Sequence, residues 1–374
     1  MIPVVRPYLP DRRKLDSYID KIYQSNQLTN NGGLVKELTS RLEEYLGVKH
    51  LLLVNNGTLA LQVAYTTFGL GAEKCVEEAI TTPFTFIATA SSLKWQGINP
   101  VFTDINRDTW CLDPKCVKKG ITDRTRLLVP VHVFGNGCEV EELEKIAQQY
   151  GVKVIYDAAH AFGVKYNDRS LLAYGDASAV SFHATKLFHT IEGGAIIFKN
   201  PEDHGYASEI INFGMTKDSN IESLGINCKM NEFQAAMGLC VLEDIDNIIA
   251  IREEIFYRYK KVLTDWVGFQ VLNEKVTMNY SYFPILLSSE SEVVSVRDAL
   301  ESNGIFPRRY FHPSLDTLNL PGFDNSHCDI SRMVSRRVLC LPMFFGLSNS
   351  QVDTICSIVK SALSRTPVID QPCF

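Results

Sequence analysis

Two spacings of apolar residues alternate along the first two hundred positions of the chain. In "LVKELTSRLEEYL" (34–46), Leu34, Leu38, Leu42, Tyr45 and Leu46 recur every three or four residues, which predicts a helix with one apolar face. The run "LLLV" (51–54) is short and unbroken, as a strand buried on both faces has to be. A second helix is predicted from Thr58 to about Leu70, then strands over 100–104, 126–134, 152–157, 178–182 and 194–198, with a helix over 139–150 among them. Strands separated by helices need crossover connections, so the fold class is α/β, with a mostly parallel central sheet covered on both faces. After residue 240 the pattern changes to long amphipathic helices, at 246–263, 292–303 and 349–363, with few strands. The change predicts a large α/β domain over 1–245 and a smaller C-terminal α/β domain over 246–374, ending in a loosely attached tail, "RTPVIDQPCF".

Composition narrows the possible partners. The 374 residues are 45% apolar and 21% charged, enough for a large core, and the net charge of −6 is spread along the chain. Such a surface offers no footprint for nucleic acid or for an anionic membrane. The ten cysteines lack C-x-x-C spacing, which argues against a zinc ribbon or a redox dithiol and fits reduced thiols in the cytoplasm. "MIPVVRPYLP" has prolines where a signal peptide needs an apolar helix, and no apolar run reaches membrane-spanning length.

Open parallel sheets bind ligands where strands end and loops begin. Four such junctions carry chemistry. "LLLVNNGTLALQVAY" places Asn55, Asn56, Gly57 and Thr58 between a strand and a helix, an anion cradle or simply a capped turn. "VKVIYDAAHAFG" ends a strand in Asp157, with His160 three residues on; a helix cap is the plain alternative. "SFHATKLFHTIEGGAIIF" delivers Ser181 and Lys186 beyond a buried strand, where a lysine needs a partner, a shifted pKa or a covalent attachment unless it reaches the surface. "PFTFIAT" (83–89) offers aromatic faces that core packing would equally use. One molecule would employ all four junctions. Pyridoxal phosphate requires a lysine for its Schiff base, a carboxylate for its ring nitrogen, an anion cradle and a ring to stack on. No G-x-S-x-G elbow surrounds Ser181 and no H-E-x-x-H gathers the eight histidines, so neither a serine hydrolase nor a metal site is indicated.

In the same order along the chain, "NGTLAL", "PFTFIAT", "DAAHAFG", "SFHATKLFHTIEGGA", "GINCKMNEFQAAMG" and "RRVLCLP" resemble the DegT/DnrJ/EryC1/StrS family of pyridoxal-phosphate-dependent sugar aminotransferases. The resemblance extends over residues 1 to 363. It implies a fold type I transferase acting as a homodimer with active sites at the subunit interface. Carried over by motif, Lys186 resembles the Schiff-base lysine, Asp157 the partner of the pyridine nitrogen, and His160 the group beside the cofactor ring. Gly57, Thr58 and Ser181 match phosphate-binding positions, and Phe86 the stacking aromatic, with Phe84 as its substitute. Asn227 matches an asparagine that reaches the cofactor phosphate of the neighbouring subunit. His189, Tyr310 and His312 resemble substrate-facing positions, and packing is the alternative for each.

Two positions depart from the family pattern: Lys229 stands where arginine is usual and Gly33 where many members have proline. Family members that remove a sugar hydroxyl carry histidine in place of the Schiff-base lysine, so Lys186 implies amino transfer. The form "SFHATK…EGG" is similar to that of enzymes acting at C4 of a 4-keto-6-deoxy sugar. The implied reaction moves an amino group from L-glutamate to C4 of a nucleotide-linked keto-sugar, with dTDP as the nucleotide. Its amino sugar would serve a glycoside or a surface polysaccharide such as the O-antigen of lipopolysaccharide. Amination at C3, a pyridoxal-phosphate-dependent dehydratase or lyase, and a cofactor-binding regulator without turnover are the alternatives.

Overall fold

The computed structural model describes residues 1–71, 76–320, 323 and 327–365. Seven strands form its central sheet: β1 (Leu51–Val54), β2 (Glu78–Thr81), β3 (Asn99–Phe102), β4 (Thr125–Val129), β5 (Lys153–Asp157), β6 (Ala177–Ser181) and β7 (Gly194–Phe198). Their spatial order is β1-β7-β6-β5-β4-β2-β3. Only β7 runs against its neighbours, β1 and β6; every other pair is parallel. Register brings Asp157 opposite Ala179 and Ser181 opposite Gly194, so the ends of β5 and β6 and the start of β7 meet at one edge of the sheet.

Eight helices accompany these strands: α1 (Arg12–Ser25), α2 (Gly33–Leu46), α3 (Gly57–Thr67), α4 (Ile87–Trp95), α5 (Pro114–Gly120), α6 (Val140–Tyr150), α7 (Pro201–Ile210) and α8 (Glu232–Glu243). In α2, Leu34, Val35, Leu38, Leu42 and Leu46 are buried. Tyr45 is half-buried against the same cluster: its ring stacks on Phe162 at 5.9 Å and its hydroxyl donates to Asp246 at 2.8 Å. A buried glutamate starts this helix, since Glu232 of "GINCKMNE" accepts the Leu34 and Val35 amides at 2.8 and 3.0 Å. Negative charge at a helix N-terminus is favoured by the dipole, and here it also satisfies two of the free amides.

Two predicted boundaries shift for local reasons, and one helix goes unpredicted. The strand expected over 126–134 stops at Val129 because Pro130 has no N–H for the ladder. The chain rejoins the sheet in a single bridge between Val131 and Asp157, then turns at Phe134, whose φ is 59°. The helix expected to reach Leu70 ends at Thr67, ahead of Gly69 at φ 70°. Helix α4 follows "PFTF" where only aromatic packing is predicted, because its buried face is Thr89, Ala90, Ser92 and Leu93, half of it polar, while Trp95 is exposed, so no apolar stripe marks it.

From Ile245 the chain builds a second layer: α9 (Ile245–Leu263), β8 (Phe283–Leu286), α10 (Glu290–Ser302), α11 (Asp329–Arg337), β9 (Val338–Leu341) and α12 (Asn349–Arg365), with β8 and β9 antiparallel. Ile255, Phe283, Val293, Leu339, Val352 and Val359 belong to a hydrophobic cluster of its own. We propose the start of α9 as the boundary between the two units. The N-terminus crosses that boundary, because Ile2–Pro3 pairs in parallel with Ile305–Phe306. Contact is also made by Asp104, whose carboxylate accepts the Ile330 and Ser331 amides at 2.8 Å each and the Ser331 hydroxyl at 2.7 Å. The helix α11 has no side-chain cap from Cys328 and takes this distant carboxylate instead. Residues 366–374 of the predicted loose tail lie outside the described residues, among which no helix is long and apolar enough to cross a membrane.

Candidate active site

A cavity of about 790 Å³ opens where β1, β5 and β6 end and α3 begins. Sequence order brings this about: each strand delivers its last residues to the same edge, so side chains more than a hundred positions apart meet there. Gly57, Thr58, Phe86, Asp157, His160, Ser181, Lys186 and Tyr310 all line it.

One wall is the start of α3. Asn56 caps the helix, its side-chain oxygen accepting the Leu59 amide at 2.9 Å and its carbonyl the Ala60 amide at 3.0 Å. Among the described residues this leaves the Gly57 and Thr58 amides without an acceptor, beside the Thr58 and Ser181 hydroxyls. Glycine is required at 57, since a Cβ there would stand 2.8 Å from Ser181 Cβ and 3.1 Å from Ser181 Cα. The close approach of helix to strand brings two amides and two hydroxyls to one corner, a site suited to a phosphate.

Asp157 forms the floor. Its Oδ2 accepts from Thr89 Oγ1 at 2.7 Å and its Oδ1 from the Ala159 amide at 3.1 Å. Burial raises its pKa, while Thr89, the Ala159 amide and Lys186 oppose the rise. His160 lies near-parallel to Phe134 and Phe311, and its Nδ1 accepts the Phe134 amide at 3.2 Å. That bond places the proton of the neutral ring on Nε2. Burial holds the imidazole well below its usual range, and Lys186 pushes it the same way.

Lys186 sits in the turn after β6, its amide donating to the His183 carbonyl at 2.8 Å. Its side chain reaches the cavity, and its ammonium is 3.5 Å from the Tyr282 hydroxyl. Burial lowers its pKa from 10.5 to about 8, with Asp157 pulling the other way. Near neutrality a usable fraction of this amine is unprotonated, which an ordinary lysine does not achieve.

Not every candidate reaches the cavity. Phe86 is 58% exposed at the mouth, whereas Phe84 is wholly buried, edge-on to Trp110, Phe134 and Phe311. His189 is buried elsewhere, Nε2 on the Tyr8 carbonyl at 2.7 Å and Nδ1 accepting the Ile191 amide at 3.3 Å, so it anchors the N-terminal segment. His312 lies 3.4 Å from Ser335 and 4.0 Å from Glu290, away from the lining. Asn227 is exposed and paired with Asn212 through a backbone bridge. Lys229 donates to Asn212 at 2.8 Å and lies over the Phe213 ring.

Thr89 and Tyr282 were not among the sequence candidates. Thr89 stands inside "PFTFIAT", where the rings are the conspicuous groups and a threonine carries no signal of its own. Tyr282 arrives from the C-terminal unit within "NYSYFPILL", which reads as a strand approach and carries no chemical signal. Its ring centroid is 4.6 Å from that of His160.

A lysine, a carboxylate, a phosphate corner and an exposed ring in one cavity fit pyridoxal phosphate on the chemistry of the donors. Comparison with known proteins agrees. The description "DegT/DnrJ/EryC1/StrS aminotransferase family" matches residues 11–360. The chain is 41% identical over 368 residues to a dTDP-4-amino-4,6-dideoxy-D-glucose transaminase of Shigella dysenteriae, covering 96% of this chain and 98% of that protein. It is 36% identical over 378 residues to the Escherichia coli transaminase of the same name, covering 96% and 98%. Among solved structures, DesI in the presence of its TDP-sugar product superposes with a TM-score of 0.90 at 30% identity, covering 97% and 93%. Helicobacter pylori PseC, an aminotransferase involved in the biosynthesis of pseudaminic acid, superposes at 0.89 with 26% identity, covering 97% and 99%. With its fold, its cavity and nearly its whole length in agreement, the chain belongs to the DegT/DnrJ/EryC1/StrS aminotransferase family and is a pyridoxal-phosphate-dependent aminotransferase.

Proposed function

We propose that the protein transfers an amino group from L-glutamate to C4 of a dTDP-linked 4-keto-6-deoxy sugar. The observation that carries the aminotransferase chemistry is Lys186, a depressed-pKa amine in the cavity that also holds Asp157 and the phosphate corner. The substrate follows from likeness to the two dTDP-4-amino-4,6-dideoxy-D-glucose transaminases and to DesI with its TDP-sugar product.

When bound, pyridoxal phosphate supplies an electron sink for charge that develops on a substrate carbon. The Gly57 and Thr58 amides, with the Thr58 and Ser181 hydroxyls, hold its phosphate. Asp157 accepts from the protonated ring nitrogen and keeps that charge in place. His160, neutral with its proton on Nε2, and Phe86 at the mouth would hold the ring between them. Lys186 anchors the cofactor at rest; once displaced, its Nζ takes a proton from the donor's α-carbon and later gives one to the sugar carbon. Tyr282 holds the free amine through its hydroxyl. Tyr310, at the cavity wall, meets the sugar.

Asn227 does not line this chain's cavity and is exposed, which supports its reaching a neighbouring subunit in a homodimer. Exposed Ile221 and Leu224, 76% and 92% accessible, lie in the same stretch and favour a covered surface there. Eight free thiols among the described residues support a reducing, cytoplasmic setting.

The test is a panel of dTDP-4-keto-6-deoxyglucose, its GDP-mannose counterpart and a 3-keto isomer, each with glutamate. Mass spectrometry detects the amine and NMR locates it. Amination of the dTDP sugar at C4 is expected; preference for GDP, or nitrogen at C3, refutes the substrate assignment.

A further inference from the structure

Thr89, on the first turn of α4, is completely buried, yet its hydroxyl has a fully determined role in the cavity floor. It donates to Asp157 Oδ2 at 2.7 Å, and Thr85 Oγ1 lies 2.8 Å from the same Thr89 oxygen. A hydroxyl has one proton, and that of Thr89 is committed to a carboxylate that only accepts. The bond between the two threonines therefore runs from Thr85 to Thr89. Thr85 is itself buried and lines the cavity, so a directed chain leads from the cavity wall through Thr89 to Asp157, each donor polarising the next. Behind it, Ser92 donates to the Thr89 carbonyl at 3.0 Å and lies 3.3 Å from the Tyr65 hydroxyl.

We propose that Thr89, primed by Thr85, is a positioning residue of the aminotransferase reaction: its hydroxyl fixes the Asp157 carboxylate and keeps the proton on the ring nitrogen of the bound cofactor. The inference rests on the reading of Asp157 as the partner of that nitrogen. Three titratable groups face Asp157: Lys186 from the turn after β6, His160 from the turn after β5 and Tyr65 from α3. Lys186 supports the carboxylate only while it carries positive charge, which changes as it anchors the cofactor, is displaced and acts as a base. Burial holds His160 neutral, and burial keeps Tyr65 protonated. Alongside the Ala159 amide, the Thr89 hydroxyl is thus a donor that stays in place whatever Lys186 is doing. Without it Oδ2 becomes more basic, and the proton passes from the ring nitrogen to the carboxylate.

The experiment uses holoenzyme loaded with pyridoxal phosphate labelled with 15N in its ring, observed by 15N NMR. Wild type is expected to show a protonated nitrogen. Thr89→Val keeps the shape and removes the hydroxyl; its resonance should move toward neutral pyridine, with roughly tenfold weaker cofactor retention. Thr89→Ser, which restores the hydroxyl, should coincide with wild type. Thr85→Val, one bond further out, should give a smaller displacement in the same direction and serves if Thr89→Val does not fold. Asp157→Asn should give the largest displacement. If Asp157→Asn moves the resonance while Thr89→Val and Thr85→Val leave it in place, this inference is overturned and the reading of Asp157 stands. Displacement by Thr89→Ser as large as by Thr89→Val also overturns it, since packing then matters and the hydroxyl does not. An unmoved resonance in Asp157→Asn overturns the reading of Asp157 and the inference with it.

Discussion

At the scale of single residues, the site turns on one amine that is more easily deprotonated than an ordinary lysine. With Lys186 as the proposed anchor, capture of pyridoxal phosphate by cofactor-free protein requires its neutral amine. Burial has lowered its pKa, so the neutral fraction grows as pH rises through about 8 and is nearly complete above it. Trapping with borohydride and mapping the peptide should place the cofactor on Lys186, with a capture rate that levels off above that pH. A rate still climbing toward 10.5 would identify a solvent-exposed lysine instead. Asp157→Asn tests the floor. An amide cannot match a carboxylate beside a pyridinium, and both half-reactions should slow by roughly a hundredfold or more while the fold persists. Near-normal turnover in stopped-flow absorbance would remove Asp157 from the mechanism.

At the scale of elements, two glycines at helix starts behave in opposite ways. Gly57 is pressed against Ser181, and Gly57→Ala should cost about 1–3 kcal/mol in denaturant unfolding as α3 is pushed from β6. Gly33 opens α2 with nothing within 4 Å of an added Cβ, at the first helical position, where proline is favoured. The residue before it, Gly32, is already extended at ψ −168°, as a following proline demands. Gly33→Pro should therefore stabilise by about 0.4–1 kcal/mol, read as a higher Tm; a lower Tm would mean that the start of α2 needs glycine's freedom.

Much of the element pattern was legible because burial leaves a period behind it. The face of α2 and the short strands β1, β5 and β7 are visible in the spacing of apolar residues. Helix α4 is not, because hydroxyls make up half of its buried face and Trp95 is exposed, and Pro130 ends β4 by a missing donor that hydrophobicity does not register. The cavity divides in the same way. Lys186, Asp157 and Gly57 stand at strand ends, where a chemical group among apolar neighbours attracts notice. Tyr282 enters from a segment 96 positions beyond Lys186. Thr89 is an ordinary threonine until its partner is known. His189 shows the converse, a polar residue in a suggestive motif that is consumed by a backbone carbonyl.

At the scale of the whole molecule, the proposed role of Asn227 would tie assembly to function. If that side chain completes a neighbour's cavity, Asn227→Ala and Lys186→Ala subunits, each inactive alone, should regain activity when mixed, because one site of the two in a heterodimer is then intact. Subunit exchange confirmed by mass spectrometry without recovered turnover would show that each chain works from its own cavity. The two units within a chain are joined as closely. Asp104 satisfies the opening amides of α11, residues 226 and 227 positions away. Those two amides are consequently a built-in strain gauge: their hydrogen exchange should slow when the units are pressed together and quicken when they part, and Asp104→Ala should release them without touching the cavity. Followed while substrate binds, a pair of protons would tell whether this enzyme works as a rigid vessel or by drawing its halves closed.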